Sequence, residues 1–227
     1  MSLKLLVLIC VLSTAACQDT LIQPTITPSP APTPTATAQA DDYIETMVNG
    51  IRLGMDVPTG WKAHKTPKGL LMTEHYNSVM MGMQVNVFVS TIGEFTIPSG
   101  EDVNVALTVL KQIILIPQYV MGGTVSDPQG FDWDSHDAAY YLLNNGDGSV
   151  TMLVAVAIDN PPRLVVCNIS SPDDYSQSIR VMLPNLLGSL AINGNTMDLT
   201  AVNELPNPLP FPAYHAWPEA TMEAVSH

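Results

Sequence analysis

Between Met81 and Val89, every second side chain is apolar, with mostly small or polar residues between. Met81, Met83, Val85, Val87 and Val89 fall on one face, and Met80, Gly82, Gln84, Asn86, Phe88 and Ser90 on the other. A repeat of two marks a β-strand, because successive side chains point to opposite sides of a sheet. One face is wholly apolar and the other mixed. The strand therefore belongs to a sheet buried fully on one side and partly on the other. That requirement limits the chain to layered folds in which another element covers the apolar face.

Asn49-Gly50, between apolar runs, is the strongest short hairpin signal. It joins an expected strand near residues 44–48 to one near 51–57, which ends in the turn Val57-Pro58-Thr59-Gly60-Trp61. Residues 70–74 read as a further strand. Residues 134–169 read as a three-strand meander, with strands near 138–143, 150–158 and 164–169 and turns at Asn144–Gly148 and Asp159–Pro162.

Two segments have helical spacing. Val103, Ala106, Leu107, Leu110, Ile113 and Ile114 form one apolar stripe, with Ser99 as expected N-cap and Pro117 as the stop. Ser171-Pro172-Asp173-Asp174 opens the second helix, whose apolar face is Tyr175, Ile179, Met182, Leu183, Leu186 and Leu187. Pro184 lies inside it and is expected to kink it. The expected fold class is α+β, a mostly antiparallel central sheet with flanking helices.

The order of these pieces resembles the PsbP-like α/β/α sandwich. The pieces are the early hairpin, Val57-Pro58-Thr59-Gly60-Trp61, the Gly-punctuated meander and the helix opening at Ser171-Pro172-Asp173-Asp174. The best-known members of that family are extrinsic proteins of the oxygen-evolving side of photosystem II. A Ran-binding nuclear protein shares the fold, and many bacterial lipoproteins look similar. The resemblance covers about residues 43–195. It implies a non-enzymatic accessory or binding module, and it transfers no site residue.

The N-terminus carries an expected address. A single Lys4 precedes an apolar run too short for the roughly 20 residues that a membrane span needs. With the small residues that follow, this is the pattern of an export signal over residues 1–16. Thr14-Ala15-Ala16-Cys17 resembles the lipobox of bacterial lipoproteins, which implies acylation of Cys17. Several acyl chains on one residue anchor stably. Residues 17–42 then read as a tether, with Pro24, Pro28, Pro30, Pro32 and Pro34 favouring an extended, semi-rigid spacer. The expected domain is 43–195. Residues 196–227, with five prolines, four acids and no Lys or Arg, read as a mostly disordered tail, with docking of residues 206–212, Tyr214 and Trp217 on the domain or a partner as the alternative.

Composition closes off some functions. The formal charge is −13, with 8 Lys and Arg against 21 Asp and Glu, and no basic cluster is expected. Nucleic-acid binding needs clustered cations, so nucleic acid is excluded as a partner. Cys167 is the one cysteine left after the signal and Cys17, so no internal disulfide is expected.

Candidate chemistry is sparse. Asp132, Asp134, His136 and Asp137 fall within six residues, and carboxylate oxygens suit a divalent cation. The spacing is that of a calcium-loop opening, but Asp137 stands where Gly is required and Leu143 where Glu is. Trp61, after a Pro-x-Gly turn, either plugs the end of a sheet or stacks on a ligand. His64, His75 and His136 with the acids are the material for a spatially assembled hydrolase site. Cys167 alternates with Val165 and Ile169 and reads as inert core. No nucleophile elbow, zinc helix, phosphate loop or dinucleotide fingerprint occurs.

The expectation is a non-enzymatic binding or accessory module without a cofactor. It is held by lipid on Cys17 to the extracytoplasmic face of a bacterial membrane, where it meets an envelope protein or a small ligand. The alternatives are a divalent-cation-binding accessory protein using Asp132–Asp137, and a hydrolase.

Overall fold

Asn49 and Gly50 take φ of 52° and 82°. Two adjacent left-handed residues make the turn whose twist matches two antiparallel strands. Val48 and Ile51 accordingly face each other at the head of the first hairpin. The computed structural model describes residues 40–75, 81–93, 95–98, 103–120, 122–159 and 162–215. The signal, Cys17 and nearly all of the tether lie outside these residues.

In chain order the elements are β1 (Ala40–Val48), β2 (Ile51–Pro58), β3 (Trp61–Thr66), β4 (Gly69–His75) and β5 (Met81–Thr91). Next come α1 (Val105–Ile113), α2 (Pro117–Val120), β6 (Thr124–Val125), β7 (Gln129–Trp133) and β8 (His136–Asn144). After them come β9 (Ser149–Ile158), β10 (Arg163–Pro172), a 3-10 turn (Asp173–Tyr175) and α3 (Ser176–Ser189). The chain then forms β11 (Ala191–Ile192), β12 (Asn195–Thr196) and α4 (Thr200–Asn203).

The large sheet runs β3-β4-β5-β10-β9-β8-β6, with β7 also paired to β8. The small sheet runs β1-β2-β11-β12. Every pairing is antiparallel. The expected α+β class with a mostly antiparallel sheet and flanking helices is what the chain adopts.

Each face of the large sheet has its own core. Met83, Val85, Val87 and Val89 of β5 join Val165, Cys167 and Ile169 of β10 and the matching residues of β9 under the small sheet and α3. Ile179, Leu183, Leu186 and Leu187 of α3 are fully buried there. Each such side chain stabilises by roughly 1.5–3 kcal/mol as an upper bound. On the other face, Ala106, Val109 and Leu110 of α1 pack on Ala139, Tyr141, Ala155 and Ala157. Three alanines in that patch let the helix approach closely, so α1 settles over β8 and β9; among the described residues no helix lies over β4 and β5 on that face, and Phe88 of β5 reaches the edge of this core.

Several expectations are corrected. β1 starts at Ala40, so the last three residues assigned to the tether are strand. Trp61–Thr66 is a strand rather than the exit from a turn; its lysines and His64 mask the apolar alternation. The cap of α1 is Asn104, whose Oδ1 accepts from the Leu107 amide at 2.8 Å. The expected cap Ser99 lies outside the described residues. Ile114 closes that helix, and Pro117 opens α2 instead of ending α1. Ser171 is buried at the end of β10, and its hydroxyl donates to the Pro172 carbonyl rather than capping α3.

The largest correction is the tail. Residues 196–215 pack on the domain: Met197, Val202, Leu205 and Leu209 are all buried. Arg180 of α3 holds the segment, its guanidinium donating to the carbonyls of Asn203, Leu205 and Pro206. Widely spaced apolar residues between prolines carry too little periodicity to reveal this from sequence. Residues 216–227 lie outside the described set.

Candidate functional site

The acidic stretch is a hairpin tip. Asp134 and Ser135 take φ of 50° and 64° and turn β7 into β8. Asp132 therefore faces Asp137, and Trp133 faces His136. Trp133 is fully buried, and its indole N–H donates to the Asp198 carbonyl at 2.6 Å. Asp137 Oδ2 accepts from the Val105 amide at 2.8 Å, at the open N-terminus of α1. Asn104 Nδ2 meanwhile donates to the Ala138 carbonyl at 3.0 Å. Asp137 is thus occupied as a helix cap, where a carboxylate also opposes the helix dipole. Asp132 and Asp134 are exposed on the strand and turn. Among the described residues no three His, Cys, Asp or Glu side chains gather as a metal site.

The histidines are not brought together either. His64 lies on β3 and His136 on β8, five strands away in the sheet order. At about 4.8 Å per strand, that is roughly 24 Å. His75 falls on β4, opposite Met81 of β5. Cys167 is buried in the first core, and burial pushes its thiol up to about 12. A thiol in that environment is not a nucleophile at neutral pH.

Two concavities lie beside the β3 edge of the large sheet. The first is a cleft of about 370 Å³ between β1 and β3, lined by Tyr43, Val57, Pro58, Trp61 and Lys65. Trp61 is half-buried against the first core and forms one wall. Asp42 and Glu45 border the opposite side. Burial first, then the carboxylates of Glu45 and Asp56, push the Tyr43 phenol up, against the pull of Arg52.

The second lies on the large sheet, a shallow groove of about 730 Å³ over β4 and β5. Leu71, Gln84, Asn86 and Phe88 form its floor, and Lys68 stands at its rim. Register sets its order, since Leu71 faces Asn86, which faces Asn168, and Gln84 faces Ser170. A hydrogen-bonded chain continues from there. Ser170 Oγ reaches Asn168 Oδ1 at 3.4 Å and Thr151 Oγ1 at 2.9 Å, and Asn145 Nδ2 donates to Thr151 Oγ1 at 3.1 Å. Phe88, Ser90 and Thr91 link the groove to a second recess of about 350 Å³ beneath the end of α1, where Tyr119 and Tyr141 sit. Amides, hydroxyls and aromatic rings bind by hydrogen bonds and stacking, and they supply no general base.

This groove was half-visible in sequence. The alternation of residues 80–91 placed Gln84, Asn86 and Phe88 on one face without showing that α1 leaves that face open. The cationic strand β3 was missed.

No protein-family model and no curated protein matches the chain. Solved structures resemble it in fold. The solution structure of cyanobacterial PsbP (CyanoP) from Synechocystis sp. PCC 6803 is 12% identical, with a TM-score of 0.44, covering 70% of this chain and 99% of that one. The crystal structure of LpqN, involved in cell envelope biogenesis of Mycobacterium tuberculosis, is 13% identical, with a TM-score of 0.46, covering 66% and 90%. The Saccharomyces cerevisiae Ran-binding protein Mog1p is 9% identical, with a TM-score of 0.42, covering 67% and 96%. At these values no residue role passes to this chain.

Proposed function

We propose that this protein is a lipid-tethered, extracytoplasmic binding or accessory module that works without catalysis. The single observation behind this reading is the part of the large sheet, at β4 and β5, over which no helix lies among the described residues. A face with Gln84, Asn86 and Asn168 over Leu71 and Phe88 is suited to recognising a surface. The tether half of the proposal is carried by Cys17 and the proline-rich segment after it. The cation-binding alternative is not taken further, because Asp137 is spent on capping α1.

The test is photo-crosslinking in the native envelope. A photoreactive residue replaces Asn86 on the open face or Val181, which is exposed on α3. A discrete adduct at Asn86 but not at Val181 is expected. Equal labelling at both positions, or none at Asn86, rejects the open face as the working surface.

A further inference from the structure

The edge of the large sheet at β3 concentrates positive charge in an acidic protein. Lys62, Lys65 and Lys68 are three of the chain's eight Lys and Arg, and they fall within seven residues. All three are exposed, as is His64 between them. Among the described residues no strand pairs with the outer edge of β3. Such an edge offers a row of unpaired backbone donors and acceptors.

Register assigns each side chain of β3 to a face. Trp61 and Ala63 turn towards the first core, and Ala63 faces Met72. Lys62 faces Thr73 and His64 faces Leu71, on the open side. A strand laid along β3 would therefore send alternate side chains in two directions. One set enters the cleft of Tyr43, Pro58 and Trp61, which Lys65 also borders, and the other meets Lys62 and His64.

We infer that β3 is a strand-addition site for an extended segment of a partner protein that alternates carboxylates with apolar or small side chains. The inference rests on the reading of this chain as a binding module. In this mode backbone hydrogen bonds supply affinity, and pockets for alternate side chains supply specificity. The carboxylates lie across from Lys62 and His64, at the roughly 5 Å spacing of facing residues in a sheet. The apolar set faces the Trp61 cleft, where Asp42 and Glu45 outnumber Lys65 and so disfavour acids.

Other occupants fit less well. A second copy pairing edge to edge would bring the lysines of two copies, six in all, to one seam, and like charges gathered across paired strands are destabilising. The chain's own tail leaves the sheet at the far side, where the His215 amide donates to Thr124 Oγ1 on β6. That is six strands from β3, or roughly 29 Å. Glu219, four residues on, reaches only about 14 Å, and Glu223, eight on, about 28 Å at full extension, which leaves only residues 224–227, without a carboxylate side chain, to lie along β3. The tether has five prolines, which lack the N–H that pairing needs. Three lysines are also fewer than the four to eight typical of anionic-lipid binding.

The test uses the full chain with Cys17→Ser, so that the outcome does not depend on acylation. The probe is a capped nonapeptide alternating glutamate with valine and threonine. Binding is expected, together with slowed amide exchange confined to β3. Lys62→Glu with His64→Glu, the two side chains on the carboxylate face, should weaken that peptide at least tenfold and favour its lysine-containing counterpart. Methylation of alternate peptide nitrogens should abolish binding. Three results would overturn the inference: no binding, undiminished binding of the methylated peptide, or protection of β3 by phosphatidylglycerol vesicles but not by the peptide. A negative result here leaves crosslinking at Asn86 as an independent measure of the broader reading.

Discussion

Asp137 and Val105, thirty-two positions apart in sequence, are joined by a hydrogen bond of 2.8 Å from the Val105 amide to Asp137 Oδ2. The bond ties the first turn of α1 to the start of β8. A carboxylate that looked like a metal ligand is in place a structural one.

Asp137→Ala should therefore lower stability by about 1 kcal/mol, the usual loss on removing a helix cap. Asp132→Asn, on the exposed neighbouring strand, should stay within about 0.5 kcal/mol of the parent. Urea unfolding of both variants checks the pair. Equal effects would show that α1 does not depend on this contact.

The C-terminal segment is expected to be part of the folding unit. Met197, Val202, Leu205 and Leu209 are buried. At roughly 1.5–3 kcal/mol each, they account for about 6–12 kcal/mol as an upper bound. Whole domains are stable by only about 5–15 kcal/mol. A chain ending at Asn195 should lose cooperative unfolding, whereas one ending at His215 should keep it. Arg180→Lys should speed proteolysis between residues 197 and 215, since one ammonium cannot reproduce a planar fork spanning three carbonyls.

Cys167 should resist alkylation in the native protein at pH 8 and react once denaturant is added. Burial raises its thiol from 9.0 to about 12, so the folded protein holds the proton that the unfolded chain releases. The sign follows directly. This group's contribution to stability is complete below pH 9 and is lost as pH rises from there towards 12. Mass spectrometry after iodoacetamide treatment measures the first effect, and thermal unfolding across alkaline pH measures the second.

Two glycines should respond differently to alanine. At Gly69 an added Cβ would strike the Val87 carbonyl, which is backbone of the neighbouring strand and cannot step aside. At Gly54 it would strike the Tyr43 ring, which is half-exposed and can swing away. Gly69→Ala should cost about 1–3 kcal/mol and Gly54→Ala clearly less, by equilibrium unfolding.

The parts of the fold legible in sequence were those with a strong local period. Residues 81–91 largely alternate, residues 138–143 and 150–158 are mostly apolar runs bounded by turn residues, and the stripe of α3 is Ile179, Leu183, Leu186 and Leu187. Asn49-Gly50 announced its turn by chemistry alone. What escaped was decided by distant partners. β7 is recognisable only once Asp134-Ser135 is seen to turn, and neither residue is the glycine that such turns prefer. β3 is an edge strand, and edges carry the lysines that make a strand look like a loop. The residues after Thr196 gain order from Arg180 and Trp133, which no local pattern encodes. The site followed the same logic. Gln84 and Asn86 were placed on a face, but whether that face is open depends on where three alanines let α1 settle.

The large sheet guards its two ends by different means. At β3 the guard is charge, and at β6 it is the chain's own C-terminal segment, with Thr124 joined to His215 and Asn144 Nδ2 donating to the Pro212 carbonyl. Cover by packed chain is removed only by unfolding or cutting it, whereas repulsion between exposed charges weakens as salt rises. The β3 end is therefore the one whose protection varies with ionic strength.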